Sequence, residues 1–489
     1  MICMTFWLGI LLTLYVLLMV GLGLYAGGRV QTEEDYLVAG RRLPLWLAWG
    51  TLLATWFGAA TVLGASEAAR AEGVQGTILD PFASGLALIV AGLFFARRVW
   101  EMKLLTVGDL FAQKYGPKTE LISSIVQALG YLPWIAAQYL AQSAILTHFF
   151  GVDSTVAILI SALFVTFLTM IGGMWSVTLT DTVQICVVLI SLVMLGVNFA
   201  ASVGEGSVVV GIETTWERTP PELRTLLPEA GLLALLGWST TWINGIFGNL
   251  PGQDLMQRIF ASRSGAVASR ACILAGCVYI LFGLLPVGLG LASRQLWPDE
   301  LPQGSDGQVL LALAELLLSP LGICLLVVTL LAIVVSTCTS AMLSPAALLS
   351  HNLLHRINWF DQRRLLTSRL SVVIVALASL PLALVTEEIL ELLESALAVG
   401  LVALLVPFVA GVYLKPRGEW PGLLSIGCGA LFWTAHQIAA SLLVTDEEQL
   451  DSVSALLLSI PPELTGLLAS ILGYLVGQRL LHSQPDSTF

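Results

Sequence analysis

TLLATWFGAATVLGASE, residues 51–67, belongs to an apolar stretch that would make a good membrane helix were it not punctuated by small residues and by Gly50, Gly58 and Gly64. Each glycine costs roughly 1 kcal/mol relative to alanine in a helix interior. Two readings account for the pattern. The small residues form a face through which a neighbouring helix packs closely, or the helix is broken at mid-membrane and its freed carbonyls serve as ion ligands. A second stretch, GWSTTWINGIFGNLPGQD at 237–254, is interrupted in the same way by Gly237, Gly245, Gly248, Pro251 and Gly252, and Asn244, Asn249, Gln253 and Asp254 make it polar. The two stretches stand roughly five spans apart, at matching places in two five-helix units, which is the sequence mark of an inverted repeat and favours the broken-helix reading.

The rest of the chain supports a membrane setting. Of its 489 residues, 57% are hydrophobic and 11% charged, where a soluble domain carries about 25% charged residues. Segments of about 20 apolar residues give about thirteen spans, near 3–26, 44–66, 78–97, 120–148, 154–174, 178–202, 230–250, 268–292, 309–345, 366–386, 395–414, 420–442 and 458–478. The 309–345 stretch is too long for one crossing and is expected to begin with a short external helix. The fold class expected is thus an all-α polytopic membrane protein with an inverted 5+5 repeat core and two broken helices. Its organisation would be a peripheral helix over 1–26, a first five-helix repeat over 44–202 and a second over 230–414. Two peripheral helices over 420–480 and a cytoplasmic tail, 481–489, would follow. The first apolar segment lacks a basic n-region and a small-residue cleavage site, so it is expected to be a retained helix and not a signal peptide.

Charge sets the expected orientation. Lys103, Lys114, Lys118, Lys415 and most arginines fall in alternate loops, 27–43, 97–118, 258–270, 355–369 and 415–417, and in the tail; only Arg70, Arg218, Arg224 and Arg294 lie on the other side. That other side carries acid: Glu387, Glu388, Glu391, Glu394, Asp446, Glu447, Glu448 and Asp451. Positive-inside ordering puts the N-terminus outside and the C-terminus in the cytoplasm of a plasma (inner) membrane. The net charge of −11 then reads mainly as solvated external loops. The seven cysteines lie in apolar segments without paired spacing, which argues against a disulfide framework and a zinc site. No phosphate-binding loop is present and no catalytic side-chain set is evident, so ATP-driven transport, nucleic-acid binding and an enzyme are all disfavoured.

Residues 336–340 read STCTS inside the apolar run 321–350. Buried hydroxyls without partners each cost a few kcal/mol, although Ser and Thr also bond the carbonyl at i−4. So dense a cluster fits a hard cation such as Na+, which takes oxygen ligands. Asp181, in GGMWSVTLTDTVQ (172–184), is an intramembrane carboxylate, either an ion ligand or proton carrier or an interfacial helix cap. Asp80, followed by Pro81 at the start of a span, is expected to cap that helix in preference to serving as counter-ion for a cationic solute.

Taken together, DYLVAGRRLP (35–44), ATWFGAATVLGASEAA (54–69), IGGMWSVTLTDTVQ (171–184), GNLPGQDLMQRIFASRS (248–264) and STCTSAMLSPAALLSHNL (336–353) resemble the sodium:solute symporter family over nearly the whole chain. The resemblance implies the inverted-repeat fold first described for the leucine transporter. It implies a principal sodium site from the carbonyls of Ala54, Phe57 and Ile333 with the hydroxyls of Ser336 and Thr337. The second sodium site found in some members would fall on Asp181, Ser336, Thr339 and Ser340, so one or two Na+ ions are expected. Trp56 and Trp134 match positions of the aromatic cage in the choline branch. The other cage positions hold Ser84 and Gly252, which leaves the solute open, and the two tryptophans read equally as packing residues or a lid. Thr61, Gln138, Trp242, Asn249 and Gln253 complete the candidate lining of the substrate pocket.

The function implied is Na+-coupled symport of a small polar organic solute, choline-like or another metabolite, by alternating access. The alternatives are proton coupling through Asp181, a non-transporting sensor of the same fold, and a passive channel. The sensor is disfavoured because little chain follows the last span, and the channel because the polar groups cluster at one depth. Partners would be the solute and the lipid bilayer; oligomeric state is left open.

Overall fold

The computed structural model describes residues 2–228, 231–298, 300–302, 308–385, 397–443 and 459–480. The acidic loop residues Glu387, Glu388, Glu391, Glu394, Asp446, Glu447, Glu448 and Asp451 and the tail 481–489 lie outside the described residues. The described chain is helical throughout, without a β-strand; one parallel bridge joins Leu43 to Ser262.

The principal helices are α1 (Ile2–Gly27), α2 (Leu45–Trp56), α3 (Ala65–Glu72), α4 (Ser84–Val90), α5 (Pro117–Phe150) and α6 (Ser154–Val203). They continue with α7 (Leu232–Ile243), α8 (Gln253–Ala261), α9 (Gly265–Leu296), α10 (Pro320–Leu348) and α11 (Arg364–Val385). The last three are α12 (Leu405–Tyr413), α13 (Trp420–Leu443) and α14 (Pro462–Leu480).

Both punctuated stretches are broken helices. In the first, α2 stops at Trp56, Phe57 turns away with φ −72° and ψ 73°, and a helical path resumes through residues 60–64 into α3. In the second, α7 runs through a wide turn at Asn244–Gly248, the chain leaves the helix at 249–252, and α8 begins at Gln253. Close packing operates as well: a Cβ on Gly58 would lie 2.8 Å from the Thr337 hydroxyl, and one on Gly248 would lie 2.8 Å from the Leu397 carbonyl.

Among the described residues eight helices are long and apolar enough to cross a membrane, where about thirteen spans are expected from the sequence. The difference has identifiable causes. The spans near 44–66 and 230–250 are broken into pieces, and the apolar helix at 397–413 is short. Pro462–Leu480 falls outside the apolar set, and 154–174 and 178–202 are fused in α6. At 50 residues α6 would be about 75 Å long if straight, more than twice a hydrocarbon core. It bends at Gly173 (φ 49°, ψ −134°), where a Cβ would lie 2.4 Å from the Tyr36 carbonyl; the Tyr36 hydroxyl in turn donates to the Thr169 carbonyl at 3.0 Å. The 309–345 stretch divides as expected, into a short helix Val309–Leu317 and α10.

The core is centred on α10. Every residue from Thr329 to Leu348 is buried, so this helix is enclosed on all sides, chiefly by α1, α5, α6 and α11. The basic segments meet at one end of the molecule. There Arg41 donates to the Lys103 and Leu104 carbonyls, Trp100 to the Ser262 carbonyl, and Arg356 pairs with Glu120 at 3.0 Å. His351 lies between Glu33 (3.0 Å) and Asp109 (3.2 Å), and Arg364 adds a 3.5 Å contact to Glu33. Burial pushes the Asp109 carboxyl up, but His351 and the Leu105 and Thr106 N–H groups outweigh it and hold the group below its ordinary range. At the opposite end Arg70 reaches Ser293 and the Trp297 carbonyl, and Gln295 reaches Thr215. One residue of the basic loop 258–270 is misplaced by that reading: Arg258 lies inside the protein and is fully buried.

Gly173 combines a left-handed backbone with a carbonyl in the space of a side chain, so Gly173→Ala should lower stability by about 1–3 kcal/mol. Gly21→Ala, on α1 with nothing within 4 Å, should be neutral. Thermal unfolding of the two variants in detergent checks the contrast.

Candidate functional site: a hydroxyl and carboxylate layer beside an acidic aromatic cavity

The break after Trp56 releases a carbonyl. In an unbroken helix the Gly58 N–H would bond the Ala54 carbonyl; here it bonds Trp56 O at 2.7 Å. The Ala54 oxygen turns to α10, accepting from the hydroxyls of Ser336 (3.2 Å) and Thr337 (3.4 Å). Ser336 Oγ also lies 3.0 Å from the Ile333 carbonyl. Ala54, Ile333, Ser336 and Thr337 therefore converge, with Phe57 at the turn beside them. A single hydroxyl proton cannot serve two carbonyls, so this set of neutral oxygens has acceptor capacity left over. Its chemistry fits a hard monovalent cation.

Next to it lies Asp181 of α6, fully buried. Its Oδ2 accepts from Thr51 (2.6 Å) and Ser340 (3.2 Å), and Thr55 Oγ1 lies 3.1 Å from Ser340 Oγ. Its Oδ1 is buried without a hydrogen-bond partner. An ionised oxygen left bare in the interior is costly unless a cation meets it. Thr339 donates to the Ser336 carbonyl at 2.9 Å, turning back onto its own helix. The motif around Asp181 is tied to α1, where Gln184 donates to the Tyr15 hydroxyl at 2.6 Å. Sequence reasoning missed Thr51 and Thr55. Their signal was present in the first broken stretch, as hydroxyls one turn apart on the face of α2 that meets α6 and α10.

A cavity of about 790 Å³ opens alongside. Trp56, Trp134 and Asn249 line it, as do Ser84 and Gly252. Tyr131, Trp238 and Tyr279 supply further aromatic surface, with the Tyr131 and Trp134 rings stacked at 5.8 Å. The other candidates stand elsewhere. Gln253 is fully buried and accepts from the Val107 N–H at 2.7 Å. Gln138 is buried within α5, and Trp242 packs edge-to-face on Trp238, their ring centroids 6.1 Å apart. Thr61 is one layer back, bonding the Tyr279 hydroxyl at 2.6 Å and Asp80 at 3.0 Å.

Asp80 is not the helix cap expected of it. Its backbone has the extended form that a cap would also take (φ −143°, ψ 122°), but its carboxylate accepts from Tyr279 and Thr61 and lines the cavity, with no bond to a helix N–H among the described residues. Asp254 also lines the cavity and holds two of its rings in place, through Trp56 Nε1 at 2.5 Å and the Tyr131 hydroxyl. With Glu67 and Glu72, the described lining includes four carboxylates and neither Lys nor Arg.

Two broken helices around a buried polar layer, among helices long and apolar enough to cross a membrane, define an integral-membrane protein of the inverted-repeat transporter class. The chain belongs to the sodium:solute symporter family, whose model matches residues 36–425. It is 26% identical over 384 residues to the human high affinity choline transporter 1, covering 74% of this chain and 64% of that protein. It is 27% identical over 288 residues to the Drosophila melanogaster high-affinity choline transporter 1, covering 58% and 45% respectively. The sodium/glucose cotransporter of Vibrio parahaemolyticus is 22% identical over 313 residues, covering 60% and 56%. The chain thus spans roughly half to two-thirds of the length of these curated relatives. Among solved structures, a Na+-coupled sialic acid symporter superposes with TM-score 0.75 at 19% identity, covering 97% of this chain and 98% of that one. A nucleobase-cation-symport-1 family transporter gives 0.59 at 17% identity, covering 91% and 94%. These likenesses establish the all-helical inverted-repeat fold.

Thr51→Val removes a donor from the Asp181 carboxylate at almost constant volume. It should destabilise the purified protein by about 1–3 kcal/mol in sodium-free KCl buffer. NaCl at equal ionic strength should restore part of the loss, read as the melting temperature in the two salts.

Proposed function

We propose that the chain is a Na+-coupled symporter that carries a small organic cation across the plasma membrane by alternating access. The observation that carries this reading is the cavity: aromatic faces and carboxylates without a basic side chain, next to the oxygen cluster where α2 breaks against α10. An aromatic face stabilises an organic cation by about 0.5–2 kcal/mol, and the Asp80 carboxylate supplies a counter-charge for it. The resemblance to choline transporters supports a quaternary or protonated amine as cargo.

In this scheme Na+ enters first, ligated by the carbonyls of Ala54, Phe57 and Ile333 and the hydroxyls of Ser336 and Thr337. A second Na+ is held by Asp181 with Ser336, Thr339 and Ser340. Ion binding fixes the break in α2 and so sets Trp56, the first wall of the cavity. Cargo then occupies the space between Trp56, Tyr131, Trp134 and Asp80. Closure over it and opening of the opposite face release both to the cytoplasm. The basic end of the molecule is placed inside, with the N-terminus outside and the C-terminus cytoplasmic. Each charge carried inward gains about 2.3 kcal/mol per 100 mV of membrane potential.

Proteoliposome uptake tests this. Radiolabelled choline should accumulate with an inward Na+ gradient, be accelerated by an inside-negative potential, and stop when K+ replaces Na+ at fixed pH. Accumulation that persists in K+ and follows a proton gradient would instead assign the coupling to Asp181 as proton carrier. Binding without accumulation would assign a sensor.

Asp80→Asn should weaken the cation at least tenfold while leaving the Na+ dependence of the melting temperature intact. Trp134→Leu should weaken it about 3- to 30-fold and Trp134→Phe less, because only the latter keeps an aromatic face. Competition binding with choline measures both.

A further inference from the structure

Among the described residues Arg258 is the largest fully buried side chain, with 0% of its surface exposed. Arginine remains charged inside proteins and presents five donors. Here Nη1 donates to the Asp254 carbonyl at 2.8 Å, one turn back along α8, while Nε and Nη2 have no partner. The matching vacancy is on Asp181, whose Oδ1 has none either. Among the described residues neither Asp181 nor Asp254 comes within ion-pair distance of the guanidinium, but α8 packs against both α2 and α10, the helices that carry Thr51 and Ser340, and so brings Arg258 to the side of the core where the Asp181 carboxylate lies. Asp181, Arg258 and Asp254 form a buried charged layer that reaches the cavity at Asp254. Its two carboxylates outnumber its one guanidinium, so one further monovalent cation balances it.

We propose that Arg258 is a tethered cation that pairs with Asp181 when Na+ is absent and is displaced toward Asp254 when Na+ binds there. The inference rests on the Na+-coupled reading above and adds the element through which ion and cargo sense each other. Displaced from Asp181, Arg258 pairs with Asp254 and holds that carboxylate ionised and oriented as the acceptor for Trp56 Nε1 and the Tyr131 hydroxyl at the cavity wall. Recaptured by Asp181, it withdraws that support. Arg258 touches neither cargo nor, once displaced, the ion, so its role is positioning. Sodium and cargo then raise each other's affinity reciprocally, as linkage requires.

The experiment titrates Na+ against the melting temperature of the full chain in detergent, at constant ionic strength with KCl. Choline affinity is measured with and without saturating Na+. Wild type should show a Na+-dependent stabilisation and a choline affinity that rises about fivefold or more with Na+. In Arg258→Gln the competitor is gone: Na+ should bind about fivefold or more tightly, and choline affinity should cease to depend on Na+. Loss of a merely structural arginine would weaken Na+ binding instead. Arg258→Lys keeps a charge on a shorter reach and should fall between the two, and it serves as the test if the glutamine variant does not fold. Unchanged or weaker Na+ binding in the folded glutamine variant, or in the lysine variant where only that one folds, overturns the proposal. Absence of any Na+ response in wild type overturns the sodium reading itself.

Discussion

The structure depends on one displaced hydrogen bond. Because Gly58 turns its N–H to Trp56 instead of Ala54, α2 ends there and a main-chain carbonyl is left facing α10 in the middle of the protein. A bare backbone carbonyl at bilayer depth is costly, so the facing helix has to offer donors, and it does so with Ser336 and Thr337. The same requirement explains Tyr279, whose hydroxyl lies 2.9 Å from the Trp56 carbonyl and 3.0 Å from the Asp80 carboxylate. One break thus gathers a cluster of oxygens between α2 and α10 and places a carbonyl beside the hydroxyl that meets the Asp80 carboxylate. Gly58 cannot be replaced cheaply, because the approach of α10 that satisfies Ala54 leaves no room for a Cβ.

The break also sets the depth of everything around it. Trp56, the last helical residue before it, is held by Asp254 at the start of α8, the piece that follows the second break. The two interrupted helices therefore meet end to side through a charged hydrogen bond, and the cavity lies where they meet. Carboxylates gather there because the surroundings supply hydroxyl and indole donors but few counter-charges. Such a site favours a positive occupant more strongly the drier it is.

How far this was legible in the chain follows from the physics of each signal. The breaks were readable because glycine and proline act locally on the backbone, and the hydroxyl run because polarity in a lipid-facing composition stands out against its neighbours. The short helix ahead of α10 could be anticipated from length alone. What failed depended on rotation and depth. Gln253 and Trp242 are polar or aromatic residues of the right segment that are not among the residues lining the cavity: Gln253 bonds the Val107 N–H and Trp242 packs edge-to-face on Trp238, and a helix-break sequence does not say which way each side chain turns. Asp80 read as a cap because an aspartate before proline normally is one. Its partners, Thr61 and Tyr279, come from segments 19 and 199 residues away along the chain. Arg258 was assigned to a basic loop because its charge argues for water, and only packing shows that α8 carries it inward.

That misassignment is instructive about orientation rules. Counting Lys and Arg by loop assumes that a charge near a span end lies in solvent. In a transporter core the assumption fails where a short half-helix enters the protein, because its last turn is both near a loop in sequence and buried in space. Arg258 is such a case: Arg263, five residues on, follows the bridge that ties Ser262 to Leu43 at the basic end, while Arg258 is fully buried and donates to the Asp254 carbonyl. Removing it from the count leaves the partition of charge unchanged, since Arg263 and Arg270 still mark that loop. The orientation inferred from charge and the buried charged layer are therefore independent properties of the same stretch of sequence, and the layer is the costlier of the two. Replacing buried charge by a hydrophobic side chain of similar volume is often neutral or stabilising, so Arg258 adds little to stability that such a side chain would not, and what distinguishes it is its charge.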